Sequence, residues 1–419
     1  MKILKIALLL WTGLAMVPWS ALAAEFRVAP GIALRQEYND NIFLTNQNQQ
    51  RDFITTIRPS LLLDWQTRYV DLALNLGLTY EKYLRHSDQD NLRAGQGAAL
   101  NSTWSLYRNR LFLRLADVYQ RVAIDESGRG GVDNTLINLT DSNRFTANPY
   151  LLLDLKPTLQ ARIDYRYENL WYEEEEATSA QTHLTSLQLT QELTPTLTAR
   201  AYGGLTRYRP NDADAGLVVV GGREEYDRQD LRFDLRWQLT ERFSLAGNVG
   251  QTKLEYEQQG STDSTLSGGE ASYQISEDYV MGAGYQEDIS DSVNAGARQG
   301  ERIYGFLRYA DRSSVKLNVF RREDRYLEID RFDTVYGASL SGDTPLANRN
   351  GVTWLLSYSD FDDAIGNQRY QRYGARIALY HQLRLGRMSL GYTRNQNQSD
   401  LALNDYTNNI VFADLVLNF

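Results

Sequence analysis

The chain of 419 residues is predicted to be all-β, a transmembrane antiparallel β-barrel of about 20 strands, within a range of about 18–22. Three observations carry this. An odd–even apolar rhythm recurs along the chain, no apolar run after the first residues is long enough for a membrane helix, and the last strand ends on an aromatic residue.

The rhythm is clearest between residues 57 and 80. Ile57, Pro59, Leu61, Leu63 and Trp65 share one parity, and after a short polar turn Val70, Leu72, Leu74, Leu76, Leu78 and Tyr80 share the next. Arg58, Ser60, Asp64, Asp71, Asn75 and Glu81 stand between them, so one face favours hydrocarbon and the other water. Strands of a soluble sandwich are usually shorter than this. Segments 159–168 and 231–239 repeat the pattern, whereas Gly and Ser blur it in 267–275 and 334–341.

Residues 1–23 read as a secretory signal: Lys2 and Lys5, an apolar stretch over 6–17, and the small-residue site Ala21-Leu22-Ala23. The remainder, 24–419, is expected to form one barrel domain. Without cysteine the chain has no disulfide or thiolate chemistry. A mean hydropathy of −0.48 excludes helical spanning. A closed barrel is then the remaining way to satisfy the backbone in lipid.

The 27 Tyr, 13 Phe and 7 Trp supply strand formers and interfacial anchors. Trp65, Trp104, Trp237, Phe243 and Trp354 lie beside predicted short turns; Tyr80, Tyr119, Tyr167, Trp171 and Tyr208 lie beside long loops, as two girdles would require. The formal charge of −9 argues against nucleic acid as a partner.

Short turns are predicted near 66–68, 107–109, 156–158, 194–196, 240–242, 276–278, 311–313, 344–350 and 384–387. Longer polar loops are predicted at 39–52, 85–90, 122–142, 173–180, 209–226, 257–264, 287–301, 322–333, 360–368 and 396–404. This layout gives an even strand count with both termini on the periplasmic side.

The inward parity predicts a charged wall. Arg162, Arg166, Arg200, Arg232 and Arg236, with Asp164 and Asp234, are the expected lumen-lining residues of a solute path. Two readings remain open for them. Excess arginine would favour anionic solutes, or neighbouring Arg and Asp neutralise one another and stiffen the wall. No plug is expected before the first strand near Arg27, so an inward loop is the expected filler. Segment 209–226 comes first, because Leu217-Val218-Val219-Val220 is too apolar for a free loop; 122–142, with Gly128, Gly130 and Gly131, comes second.

No catalytic residue, metal or cofactor is expected. His86-Ser87-Asp88-Gln89-Asp90 is a candidate source of an Asp/His acid–base pair on an external loop, weighed against an ordinary solvated loop. His183 sits on the lipid-facing parity and His381 near a short turn. The acidic tips 173–176 and Asp212/Asp214 are candidate Ca²⁺ or lipopolysaccharide bridges, weighed against solvated charge.

Val411, Ala413, Leu415, Leu417 and the terminal Phe419 alternate outward. Leu415, Leu417 and Phe419 resemble the signal read by the barrel assembly machinery, which places the chain in a bacterial outer membrane with its lipid and lipopolysaccharide as partners. Tyr38-Asn39-Asp40-Asn41-Ile42-Phe43 resembles the opening of the β-barrel porin 2 family, in particular its outer membrane members found with exopolysaccharide and exosortase (PEP-CTERM) systems. That resemblance implies a porin-like conduit connected with exopolysaccharide export or biofilm assembly, with anionic polysaccharide and export-system proteins as partners. The alternative it leaves is a non-conducting scaffold or adhesion barrel that binds surface glycan or partner proteins. It assigns no catalytic residue.

Overall fold

A computed structural model describes residues 25–419, apart from 96, 126–127, 212–223, 258–259, 330 and 364–367. The expected signal peptide, 1–23, lies outside the described residues, as do Leu217–Val220 and Asp212/Asp214.

Every strand pairs antiparallel with its neighbours, and the ring closes where Glu25–Asn39 meets both Asp52–Gln66 and Tyr406–Asn418. Asn91–Ala94 and Ala99–Tyr107 both pair with Val70–Tyr83 and together form one stave, giving a closed barrel of 20. The stave breaks at Gly95, whose N–H donates to the Gly77 carbonyl at 2.7 Å. A Cβ on Gly95 would lie 2.8 Å from the Gly77 backbone, so this crossing requires glycine. All nine predicted short turns join consecutive strands, and both weakly patterned segments are strand, 267–274 within Gly260–Gln274 and 334–341 within Arg331–Pro345, with Ile275 just past the strand end.

The external ends differ from the sequence reading. Ser314–Tyr326 and Arg331–Pro345 run through most of the predicted 322–333 loop, and the strand Gly260–Gln274 starts inside the predicted 257–264 loop. Above the hydrocarbon both faces are wet, so a strand continues on its backbone ladder without apolar alternation. This places Arg322, Asp324, Arg331 and Asp333 on the inward parity, where the loop reading had put none.

Outward residues form the oily band: Leu205 is 62% exposed, Leu390 61% and Leu76 40%. Each stays uncovered by protein because the bilayer supplies the apolar partner. Leu415 pairs with Leu34 and Leu417 with Ile32 on this face, and Phe419 donates its N–H to the Pro30 carbonyl at 2.8 Å. Tyr208 departs from its predicted girdle place. It shares the parity of Arg200, faces inward at 5% exposure, and stacks on Tyr226 with ring centroids 4.8 Å apart.

Inner aromatic rings lie flat against the wall over glycines of the neighbouring strand. Tyr304 covers Gly284, Phe306 covers Gly282, Phe320 covers Gly337 and Tyr380 covers Gly351. A Cβ on Gly351 would run into the Tyr380 ring. Bulky side chains thus line the lumen without filling it.

Candidate functional site

Successive residues on one face of a strand are two apart, so an Arg-x-acid triplet sets a guanidinium beside a carboxylate on the same wall. The barrel uses this repeatedly. Arg162 meets Asp164 at 2.6 Å, Arg228 meets Asp230 at 2.9 Å, and Arg331 meets Asp333 at 2.7 Å. Asp234 receives both Arg200 at 3.0 Å and Arg232 at 3.3 Å. Arg166 and Arg236 share this inward parity, and among the described residues neither has a carboxylate within ion-pair distance. The structure therefore brings all seven predicted wall residues to the lumen, with five of them paired and two cations left over.

The described residues of the predicted 122–142 loop that lie between strands, 124–125 and 128–138, fold into the lumen. Its neck is pinned by Asn138, whose amide donates to the Asp125 carbonyl at 2.5 Å and whose side-chain oxygen accepts the Asp125 N–H at 3.0 Å. Asn134 caps the following turn from Leu136 and Ile137. Asp133 and Asn138 adopt positive φ, of 62° and 57°, which suits these residue types.

The tip docks on distant staves. Asn395 pairs with Val132 through both backbone groups, at 2.9 and 2.8 Å. Asp133 accepts from Arg376 at 3.1 Å and from Thr393 at 2.7 Å, with Arg35 at 3.6 Å. Arg372 donates to the Gly128 carbonyl at 2.7 Å, Tyr406 to that of Gly130, and Arg331 holds Asp125 at 3.1 Å. A loop rooted between Leu111–Ala123 and Leu139–Lys156 thus reaches Arg331, halfway round the ring.

The Tyr38–Phe43 hexapeptide organises the same end. Asn408 donates to Asn39 at 2.6 Å, Asn409 to Asp40 at 2.7 Å, and the Asn41 amide to the Thr407 carbonyl at 3.0 Å. These bonds seal the first strand to the last. Ile42, with Ile54 and Tyr83, receives Leu136 of the loop.

A second inward element faces the first. Gly260–Gln274 and Tyr279–Asp291 pair only from Gly268/Gln286 down to Gln274/Val280. Above that fork Ile289 and Ala297 pack on Tyr208, Tyr226, Leu254 and Tyr256, which point inward from other staves. Tyr226 donates to Asp291 at 2.7 Å and Arg228 to the Ile289 carbonyl at 2.9 Å. Thr178 donates its N–H to the Val293 carbonyl at 2.7 Å, tying two external loops together. Glu328, in the loop after Tyr326, accepts the Ala297 N–H at 3.0 Å, and burial holds its carboxyl above the ordinary range. The lumen is narrowed from both sides at its external end.

The histidines are engaged. His86 contacts Asp52 through Nδ1 and Gln50 through Nε2, both at 2.6 Å, so its partner is Asp52 rather than Asp88 or Asp90 and both ring nitrogens are hydrogen-bonded. Fully buried Asp52 also accepts the N–H groups of Leu84, Arg85 and His86, which marks a loop clasp. His183 meets the Tyr165 hydroxyl at 2.8 Å on the lipid face, and His381 meets Asn350 at 2.8 Å. Among the described residues no three His, Asp or Glu side chains converge as metal ligands.

No family model matches the chain, and no curated protein matches it. Solved structures do. The siderophore receptor PirA from Pseudomonas aeruginosa aligns at TM-score 0.53 and 11% identity, over 94% of this chain and 80% of that one. The FrpB iron transporter from Neisseria meningitidis (F5-1 variant) aligns at 0.51 and 9%, over 93% and 82%. A mutant of the ferric enterobactin receptor PfeA from P. aeruginosa aligns at 0.51 and 10%, over 94% and 80%. At such identities the likeness establishes the barrel fold. With the oily exterior and the closed, even-stranded ring, it makes this chain a bacterial outer-membrane β-barrel.

Proposed function

We propose that the barrel is a porin-like conduit for polar solutes with a preference for anions, connected with exopolysaccharide export or biofilm assembly. The observation that carries the conduit reading is the asymmetric lumen. The 124–138 loop docks on the wall formed by Arg331–Pro345, Gln368–Gln382, Gly386–Ser399 and Tyr406–Asn418. The facing wall keeps Arg162, Arg166, Arg200, Arg232 and Arg236 clear of it. A barrel of this size encloses water wherever protein does not fill it. Arg166 and Arg236, without carboxylates, tilt that water-filled side toward anions. Paired residues such as Arg162 and Asp164 orient polar solutes and hold the wall rigid.

The polysaccharide connection rests on the Tyr38–Phe43 resemblance, with anionic polysaccharide and export-system proteins as the partners. The role is non-enzymatic, in keeping with the double engagement of His86. The docked loop and the Thr178–Val293 tie also favour a second reading, a closed scaffold that binds glycan at its rim. Planar-bilayer recording separates the two. A conduit conducts as the full chain and conducts more after excision of 128–135; a scaffold stays silent in both forms while retaining surface glycan.

A further inference from the structure

On the inward face of Ala297–Ala310 and Ser314–Tyr326, four consecutive rungs read Arg302/Arg322, Tyr304/Phe320, Phe306/Asn318 and Arg308/Lys316. Two rungs are cation against cation. Like charges directly opposite on a strand pair are destabilising, so unneutralised rungs need an explanation. Arg322 is balanced by Asp324 at 2.7 Å. Arg302, Arg308 and Lys316 have no carboxylate within ion-pair distance among the described residues, and all three are solvent-exposed in the lumen. The nearby Glu270 is committed to the Tyr304 hydroxyl.

Between the charged rungs lies an aromatic floor. Tyr304 and Phe306 rest on Gly284 and Gly282 to one side, and Phe320 rests on Gly337 to the other, so the rings are pressed to the wall, and the guanidinium groups of Arg302 and Arg308 lie over them. Arg302 lies 4.9 Å from the Phe320 centroid, and Arg308 lies 4.6 Å from that of Phe306. The charged rungs are six residues apart, or roughly 20 Å along the strand.

We infer that this strand pair is a binding track for an anionic glycan. Arg302, Arg308 and Lys316 hold carboxylate or phosphate groups at two points, and Tyr304, Phe306 and Phe320, which hold Arg302 and Arg308 by cation–π contact, form the floor beneath the sugar rings between them. A small inorganic anion uses one charged rung and gains nothing from the rings. A polymer whose charges repeat along its length uses both rungs and the floor. Arg suits these groups because its planar fork meets two oxygens at once. The inference rests on the conduit reading and assigns it a substrate class.

The test is calorimetric titration of the purified full-length barrel in detergent with a short oligogalacturonate, glucose 6-phosphate, neutral maltohexaose and inorganic phosphate. Heat-modifiable electrophoretic mobility confirms folding of each variant. The track predicts that oligogalacturonate binds more tightly than maltohexaose. Arg308→Ala with Lys316→Ala weakens it about tenfold or more, and Phe320→Leu or Phe306→Ala weakens it about threefold. Glucose 6-phosphate binding as tightly as oligogalacturonate overturns the track, because its single phosphate reaches only one of the two charged rungs. Equal affinity of all variants overturns the track, as does full competition by inorganic phosphate with no effect of the aromatic substitutions. Because titration needs no ion flow, glycan binding without conductance refutes the conduit alone, whereas conductance without glycan binding refutes the track alone.

Discussion

Among the contacts that hold the 124–138 loop, several charge-assisted ones converge on a single side chain of its tip. Asp133 is the choice. It accepts charge-assisted bonds from Arg376 and Thr393, at 3.1 and 2.7 Å, and Arg35 stands 3.6 Å away. Its side chain is 15% exposed, so water screens it only partly. Taking about 1.5 kcal/mol for each of the two direct bonds, Asp133→Ala should weaken docking by about 3 kcal/mol. At about 1.4 kcal/mol per decade, the docked-to-undocked ratio falls by roughly two orders of magnitude. Asn395→Ala removes two neutral bonds to Val132 and should cost less, about 2 kcal/mol.

Two assays read the loop. In planar bilayers Asp133→Ala should show larger or more frequently open conductance levels than the parent, with Asn395→Ala in between. Arg129, part-buried and bonded to the Leu44 carbonyl in the docked state, should become a trypsin site in the same order. If both variants match the parent in conductance and in cleavage at Arg129, the loop is not a latched element and the reasoning fails.

Glu81 is 1% exposed and held by Arg93 at 2.7 Å, so Arg93→Ala leaves a buried carboxylate unpaired and should lower unfolding free energy by about 3–5 kcal/mol in urea titrations of vesicle-inserted protein. Ile289→Ser, which breaks the apolar patch against Tyr226 and Leu254, should free the upper hairpin and raise conductance; an unchanged trace argues that the hairpin does not narrow the path. Gly351→Ala forces the Tyr380 ring off the wall and away from its bond to Asp343 at 2.9 Å, costing about 1–3 kcal/mol by the same unfolding assay.

Much of this architecture is legible in the chain because a barrel between oil and water imposes a period of two on each spanning strand. Leu205, Leu231 and Leu390 lie outward and Arg162, Arg200 and Arg232 inward from parity alone, and turn chemistry at Pro157, Pro195 and Pro345 marks where strands reverse. Above the membrane that constraint ends. Arg322 and Asp324 look like loop residues in sequence, yet continue a strand, because polar side chains on both faces carry no phase. Tyr208 follows the inward parity of its strand, which outweighs the preference of aromatic residues for the lipid boundary. The docking of Asp133 on Arg376 and Thr393 joins segments more than two hundred residues apart, and no local pattern encodes it. The one local signal was Gly128, Gly130 and Gly131 with Asn134 and Asn138, a composition that turns tightly and caps itself.

The Tyr38–Phe43 hexapeptide gains a physical role from the structure. Asn39, Asp40 and Asn41 close the ring against Asn408, Asn409 and Thr407, while Ile42 seats Leu136 of the inward loop. One short motif therefore couples barrel closure to the shape of the lumen.

The most direct measurement is the reversal potential of the reconstituted full-length barrel under a potassium chloride gradient. The arginine-lined side of the lumen predicts chloride preference that falls toward neutrality in the Arg166→Gln, Arg236→Gln double variant. A cation-selective reversal potential, or selectivity unmoved by those substitutions, would contradict the account.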